Sequence, residues 1–324
     1  MILKKKPSNK NLKIFIAGHN GMVGKAVLNL LKKKKFTRIL TLDKNKIDLR
    51  EKKLIINYFK KEKPSIVINC AARVGGIHIN NKNKVEFLEE NIEINQNIFK
   101  ACYEAKISKL IFLGSSCIYP NNITRKIVEE DLLSSHLEET NEAYALAKIV
   151  GIKLCDFYNK QHGTDYRAIM PCNLFGPNDN YNSLNSHVLP ALIKKVHIAK
   201  KKKLKFIEVW GDGSSKREFL FVDDLAKYIF KILFISKYKF QKISYKSFIN
   251  VGSQFEYKII NLVKIISEVL KYPVNIRYIN KNLKGTNRKK LNDTRFKRYI
   301  QKKNDQTNFK DSILKTYLSF LNAK

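Results

Sequence analysis

The 324-residue sequence predicts an α/β fold: a doubly wound parallel sheet of the Rossmann kind, with a smaller, discontinuous α/β lobe attached. Three observations carry that prediction. Short, nearly continuous apolar runs alternate with amphipathic stretches through the first half of the chain, as strands buried on both faces alternate with the helices that cover them. The first run ends in a glycine-spaced turn at the mouth of a helix, Gly18 to Gly24. Beyond about Gly176 the alternation loosens, and Asn, Pro, Gly and Lys interrupt shorter strands.

In chain order, LKIFIAG (12–18) reads as a strand and MVGKAVLNLLKKK (22–34) as a helix with apolar residues at helical spacing. RILTLD (38–43), SIVINCAA (65–72), KLIFLGSS (109–116) and YRAIMP (166–171) are further strands. NIEINQNIFKACYEA (91–105) and NEAYALAKIVGIKLCDFYNK (141–160) are helices between them. DDLAKYIFKILF (223–234) is a helix, and SFINVG (247–252) adds one more strand to the sheet. The nucleotide-binding type of domain is assigned to residues 1–178 and 218–252, and the smaller lobe to 179–217 and 253–324. No internal repeat or low-complexity tail interrupts this plan.

With 63 basic and 28 acidic residues the formal charge is +35, a balance that can mark nucleic-acid binding. The excess is mostly Lys, scattered along the chain or in short runs such as Lys32 to Lys35 and Lys200 to Lys203, without an aromatic-interleaved stripe. Such runs are ordinarily solvated faces, so no nucleic-acid partner is expected, although the field attracts anionic substrates. The five cysteines form no CxxC pair, which argues against a zinc site or a disulfide framework and for a reducing, cytoplasmic compartment. The apolar part of the N-terminus is too short for a signal sequence and reads as the first strand, and no window is long enough to span a membrane.

Gly18, His19, Asn20, Gly21, Met22, Val23 and Gly24 form a GxxGxxG turn after the first strand. Glycines let the backbone approach a pyrophosphate closely, and the helix behind them points its N–H groups at it, so a dinucleotide is expected there. Strand two ends at Asp43-Lys44. The carboxylate favours the ribose hydroxyl of NAD and the ammonium favours the 2′-phosphate of NADP, so spacing alone leaves the choice open. Tyr144 and Lys148 stand four apart on one helical face, where an ammonium draws the phenol's pKa down from about 10. Ser115 ends the KLIFL strand, placed to hydrogen-bond a substrate oxygen beside Tyr144.

That order of motifs resembles the extended short-chain dehydrogenase/reductases, the NAD(P)-dependent sugar-nucleotide epimerases, dehydratases and reductases. Where dehydratases of that group carry an acidic pair after the strand-end hydroxyl, this chain has Ser116-Cys117, which argues against β-elimination. GSSCIYP, AGHNGMVG, AARVGGI, NEAYALAKIVGIKLC, DYRAIMPCNLFGPNDNY, NSHVLPAL and VWGDGSSKREFLFVDD together resemble, in order, the GDP-L-fucose synthase family.

The resemblance implies a 3,5-epimerase and 4-reductase acting on GDP-4-keto-6-deoxy-D-mannose with NADP(H), NAD(H) remaining open. It implies that Cys117 and His187 exchange protons with the sugar, either one serving as base. Ser115 and Tyr144 would hold the ketone oxygen, Tyr144 would protonate it on reduction, and Lys148 would support Tyr144 and the nicotinamide ribose. Cofactor contacts follow at Leu113 and Gly114, at Pro171, Asn173 and Leu174 beside the nicotinamide, and at His187. Lys195, Trp210 and Arg217 fall on positions that hold the GDP-sugar. The remaining cysteines, Cys70, Cys102, Cys155 and Cys172, read as structural. No metal is implied. A homodimer is, through helices 91–105 and 141–160.

Some positions depart from the family pattern. Asn20 and Lys44 stand where arginines are usual near the 2′-phosphate, and Lys284 and Asn292 replace aspartates in GTNRKKLNDTR and just before it. Two alternatives keep the fold. One is a related 4-ketoreductase or epimerase on another nucleotide sugar. The other is a non-catalytic, dinucleotide-sensing or nucleic-acid-associated Rossmann protein, which leaves Ser115, Tyr144 and Lys148 unexplained.

Overall fold

The computed structural model describes residues 9–182, 186–279, 288–301 and 305–322. The chain begins the sheet with β1 (Ile14–Ala17), α1 (Met22–Lys33), β2 (Ile39–Thr41), α2 (Lys52–Glu62) and β3 (Ile66–Asn69). It continues through α3 (Ile77–Lys82), α4 (Lys84–Glu104), β4 (Lys109–Leu113), α5 (Glu142–His162) and β5 (Asp165–Pro171). β1, β3 and most of β4 and β5 are buried at every position, which is why they read as unbroken apolar runs.

Next come β6 (Asn173–Phe175), α6 (Val188–Lys202), β7 (Phe206–Trp210), β8 (Lys216–Phe221), α7 (Val222–Phe234), α8 (Lys237–Ile243) and β9 (Phe248–Val251). The last elements are β10 (Glu256–Lys258), α9 (Ile259–Val269), β11 (Asn275–Ile279), β12 (Arg288–Lys289), α10 (Thr294–Tyr299) and α11 (Phe309–Asn322).

Six strands form the main sheet in the order β2-β1-β3-β4-β5-β9, every neighbouring pair parallel. The sheet is the doubly wound one the sequence predicts, and all six expected strands are in it. β2 and β3 flank β1, so the winding reverses there, and a crevice opens at the carboxyl ends of β1 and β3. α1 packs with α7, while α4 packs between α2 and α5.

α5 lies unusually close to β4. A Cβ on Gly151 would enter the Phe112 ring. Gly151→Ala should therefore destabilise the protein by about 1–3 kcal/mol, the usual cost of overpacking. A fall in thermal midpoint checks this, and an unchanged midpoint would show that the helix has room to move.

A second apolar core gathers Phe175, Leu189, Ile193, Phe219, Leu262, Phe309 and Ile313. β8 is the wall between the two cores. Side chains alternate across a strand, so Leu220 packs into the first core while Phe219 and Phe221 pack into the second. The small sheet around β8 pairs it with β6, β10 and β12, and β7 pairs separately with β11. α10 returns to the first core, where Phe296 meets Tyr228 with ring centroids 4.9 Å apart.

Candidate active site

Gly18 has φ +74°, and its carbonyl accepts the Gly21 N–H at 3.1 Å, closing the turn that leads into α1. A Cβ on Gly24 would overlap the Gly18 carbonyl, so the third glycine lets the helix start close against the loop. No side chain caps the helix at Gly21. Its first N–H groups are thus left facing the crevice, as an anion site requires.

The crevice is a cleft of about 730 Å³. Its walls include all seven residues of the glycine turn, Lys44, Leu113, Gly114, Ser115, Tyr144, Lys148, Pro171, Asn173, Leu174 and His187. Sequence-expected residues from six separate segments thus meet in one place. Five others do not line it: Asp43, Cys117, Lys195, Trp210 and Arg217.

Asp43 is turned to the glycine turn. Its carboxylate accepts the Asn20 side-chain amide at 3.0 Å and lies 3.3 Å from His19 Nε2. Lys44, largely exposed, reaches the cleft in its place. The departure at Asn20 is therefore an internal partner for Asp43. Sequence reading missed Arg50, Arg73 and Glu90, which also line the cleft. Arg50 pairs with Asp48 at 2.7 Å, and both arginines reach Glu90. Only Arg73 falls in one of the family-like segments, AARVGGI, and Arg50 and Glu90 lie far from it in the chain.

Ser115 caps a short 3-10 turn over Ser116–Ile118, its hydroxyl oxygen accepting the Cys117 N–H at 3.3 Å. Lys148 is buried, donates to the Leu113 carbonyl at 2.8 Å and lies 5.5 Å from the Tyr144 ring centroid. Burial pushes the Lys148 ammonium down to about 8, with the thiols of Cys117 and Cys70 acting the other way. Burial pushes the Tyr144 phenol far up, helped by Cys117, so at neutral pH Tyr144 holds its proton.

Burial also raises the Cys117 thiol, opposed by the Lys289 ammonium, the hydrogen bond with Ser115, and Lys148. His187 caps α6 and is held below the ordinary imidazole range by burial, hence neutral at pH 7. Cys117 thus rests as a thiol and His187 as a neutral imidazole. Lys289 was not singled out in the sequence, where it sits inside the basic run 288–290. β12 sets it opposite Arg217 of β8. Burial lowers its pKa, while Cys117 and Glu138 favour the charged form.

Lys195 donates to the Glu208 carbonyl of β7 at 2.8 Å, and Trp210 ends that strand 63% exposed. Lys284 lies outside the described residues. Asn292 accepts the Thr294 N–H at the start of α10, a turn-capping task in which amide and carboxylate are interchangeable. Cys70 and Cys172, read as structural, both stand on the cleft wall, with burial raising their thiols.

A parallel sheet with a glycine turn at its reversal point, and Ser115, Tyr144 and Lys148 in one cleft, defines a dinucleotide-dependent sugar-nucleotide enzyme of the extended short-chain class. Residues 14–242 match the model of the NAD dependent epimerase/dehydratase family, and the chain belongs to that family. Within it the chain is 42% identical over 288 residues to GDP-L-fucose synthase 1 of Arabidopsis thaliana, covering 89% of this chain and 87% of that one. It is 39% identical to the GDP-L-fucose synthase of Escherichia coli K12, covering 87% and 89%. A GDP-L-fucose synthetase from Naegleria fowleri crystallised with NADP superposes with TM-score 0.84 at 28% identity, covering 99% of this chain and 96% of that one.

Proposed function

We propose that the protein converts GDP-4-keto-6-deoxy-D-mannose to GDP-L-fucose, as an NADP-dependent 3,5-epimerase and 4-reductase. The observation that carries this reading is the placement of Cys117 directly beside Ser115, within the electrostatic reach of Tyr144 and Lys148. A simple ketoreductase needs the serine, tyrosine and lysine. A thiol beside the serine adds a proton carrier, which epimerisation next to a ketone requires. The curated relatives supply the substrate.

The cleft fits the dinucleotide. Gly24 lets α1 start close against the turn, so that the helix's first N–H groups stand at the cleft, and Lys44 offers a cation where a 2′-phosphate would sit. Bound NADPH supplies the hydride for C4. The uncapped start of α1 binds the diphosphate, and Lys148 holds ribose hydroxyls and keeps its ammonium under Tyr144. Ser115 donates to the C4 oxygen, which stabilises the enolate that forms when C3 or C5 loses its proton. Cys117 and His187 remove each proton and return one to the other face. Either tautomer of the pair provides one base and one acid. Tyr144, still a phenol, then gives its proton to the C4 oxygen.

Lys195, Trp210 and Arg217 bind the GDP moiety from the smaller lobe, residues 179–217 and 253–324, while 1–178 and 218–252 bind the cofactor. The protein works as a homodimer. Val85 and Tyr103 on α4 and Leu146 and Phe157 on α5 are exposed apolar side chains on two helices that pack together, and a second copy would cover them. Sedimentation at monomer mass would rule the dimer out. The five cysteines are unbridged, and among the described residues no helix is long and apolar enough to cross a membrane. These facts support a cytoplasmic location.

The test of function is turnover: the purified protein should oxidise NADPH on addition of GDP-4-keto-6-deoxy-D-mannose and release GDP-L-fucose, and absence of both would reject the reading. Lys44→Ala should raise KM for NADPH by roughly three- to tenfold, the scale of one lost phosphate contact, and leave KM for NADH near its starting value. Equal effects on the two cofactors would remove Lys44 from the 2′-phosphate site.

A further inference from the structure

Arg217 and Lys289 are set opposite each other by the β8–β12 pairing. Like charges placed directly across a strand pair repel. β12 is only two residues long, too short to hold that pairing by its own ladder. Something else must fix it.

Glu218, next to Arg217, is fully buried at 0% exposure. It faces away from Arg217, because strand side chains alternate. Its Oε2 accepts the Leu291 N–H at 3.0 Å, two residues beyond Lys289. Its Oε1 accepts the Ser253 N–H at 2.8 Å, just past β9. Its main-chain carbonyl accepts the Asn173 side-chain amide at 2.9 Å, in the segment lining the cofactor cleft. One residue therefore joins the strand of Arg217, the segment of Lys289, the edge of the main sheet and the cleft wall. Gly252 leaves room for this. A Cβ there would come 3.0 Å from Glu218 Oε1 and 2.8 Å from Asp293 Oδ2. The far side of the 288–292 segment is held independently, since Ile127 bonds Lys290 and Asn292 through its main chain. Loss of Glu218 would thus loosen the Lys289 side of the segment without freeing it altogether.

We infer that Glu218 is a positioning residue that holds Arg217 and Lys289 side by side against their repulsion, making a preformed two-cation seat for the diphosphate of the nucleotide sugar. The inference rests on the function proposed above for the substrate's identity, but not for its diphosphate. Glu218 touches neither substrate nor cofactor. It acts through the two cations.

The experiment compares wild type, Glu218→Gln and Glu218→Asp. Gln keeps size but sets an NH₂ against one of the two N–H groups, whereas Asp keeps both acceptors on a shorter stem. Calorimetric Kd for GDP and KM for the sugar nucleotide should rise about tenfold in Glu218→Gln and less in Glu218→Asp, with kcat reduced less than KM is raised and Kd for NADPH unchanged. Wild-type GDP affinity in Glu218→Gln, or equal losses toward GDP and NADPH, would overturn the role. If Glu218→Gln fails to fold, Glu218→Asp decides on the same split, and unaltered GDP affinity there would overturn it. If wild type binds GDP and NADPH but makes no fucose, the function proposed above fails, while the GDP comparison still judges Glu218.

Discussion

Tyr144→Phe should slow NADPH-dependent reduction by about 10²–10⁴-fold, the usual worth of a positioned general acid, or about 2.7–5.4 kcal/mol of barrier. Burial keeps this phenol protonated at neutral pH, and Lys148 lies below its ring. Hydride arriving at C4 leaves an alkoxide that must gain a proton, and Phe has none to give. Proton exchange at C3 and C5 should suffer less, because Ser115 still donates to the ketone oxygen. Single-turnover NADPH oxidation read beside deuterium exchange separates the two steps. Reduction at the wild-type rate would take Tyr144 out of the chemistry.

Cys117→Ser should abolish measurable epimerisation, a loss of about 10²–10⁴-fold, while leaving a cofactor-binding protein. A serine hydroxyl has the thiol's place but not its acidity, so it serves neither as the base nor as an effective acid opposite His187. The Cys117 N–H still reaches Ser115 Oγ through the main chain, so the turn itself should survive the change. Deuterium incorporation at C3 and C5 of the substrate in D₂O measures this directly. Normal incorporation would make Cys117 a packing residue. Burial, the largest influence, raises this thiol, while Lys289 and Lys148 favour its thiolate.

Much of this site was legible because its chemistry lies in local spacing. The glycine turn reads directly, since its seven consecutive residues run from the end of one strand into the first turn of one helix. Tyr144 and Lys148 share a face because a helix turns once every 3.6 residues. Ser115 and Cys117 follow closely on β4, whose apolar run is unmistakable. What stayed hidden depends on contacts between distant segments. Lys289 looks like one more basic residue in a Lys-rich chain until β12 sets it opposite Arg217. Glu218 looks like an ordinary strand carboxylate until Leu291 and Ser253 are seen on its two oxygens. Cys70 and Cys172 read as core because a small apolar residue at a strand end gives no sign of which wall it faces. β2 ends at Thr41, two residues before Asp43, and the partnership of Asp43 with Asn20 could not be read from either residue alone.

The most direct test of the central claim uses the purified wild-type protein and GDP-4-keto-6-deoxy-D-mannose in D₂O, first without reduced cofactor and then with NADPH or NADH. Deuterium entering at both C3 and C5 before any cofactor is added, followed by GDP-L-fucose when NADPH is supplied, is the result predicted here. Reduction of the 4-ketone with no deuterium at either carbon would contradict it and leave a ketoreductase in which Cys117 and His187 carry no protons.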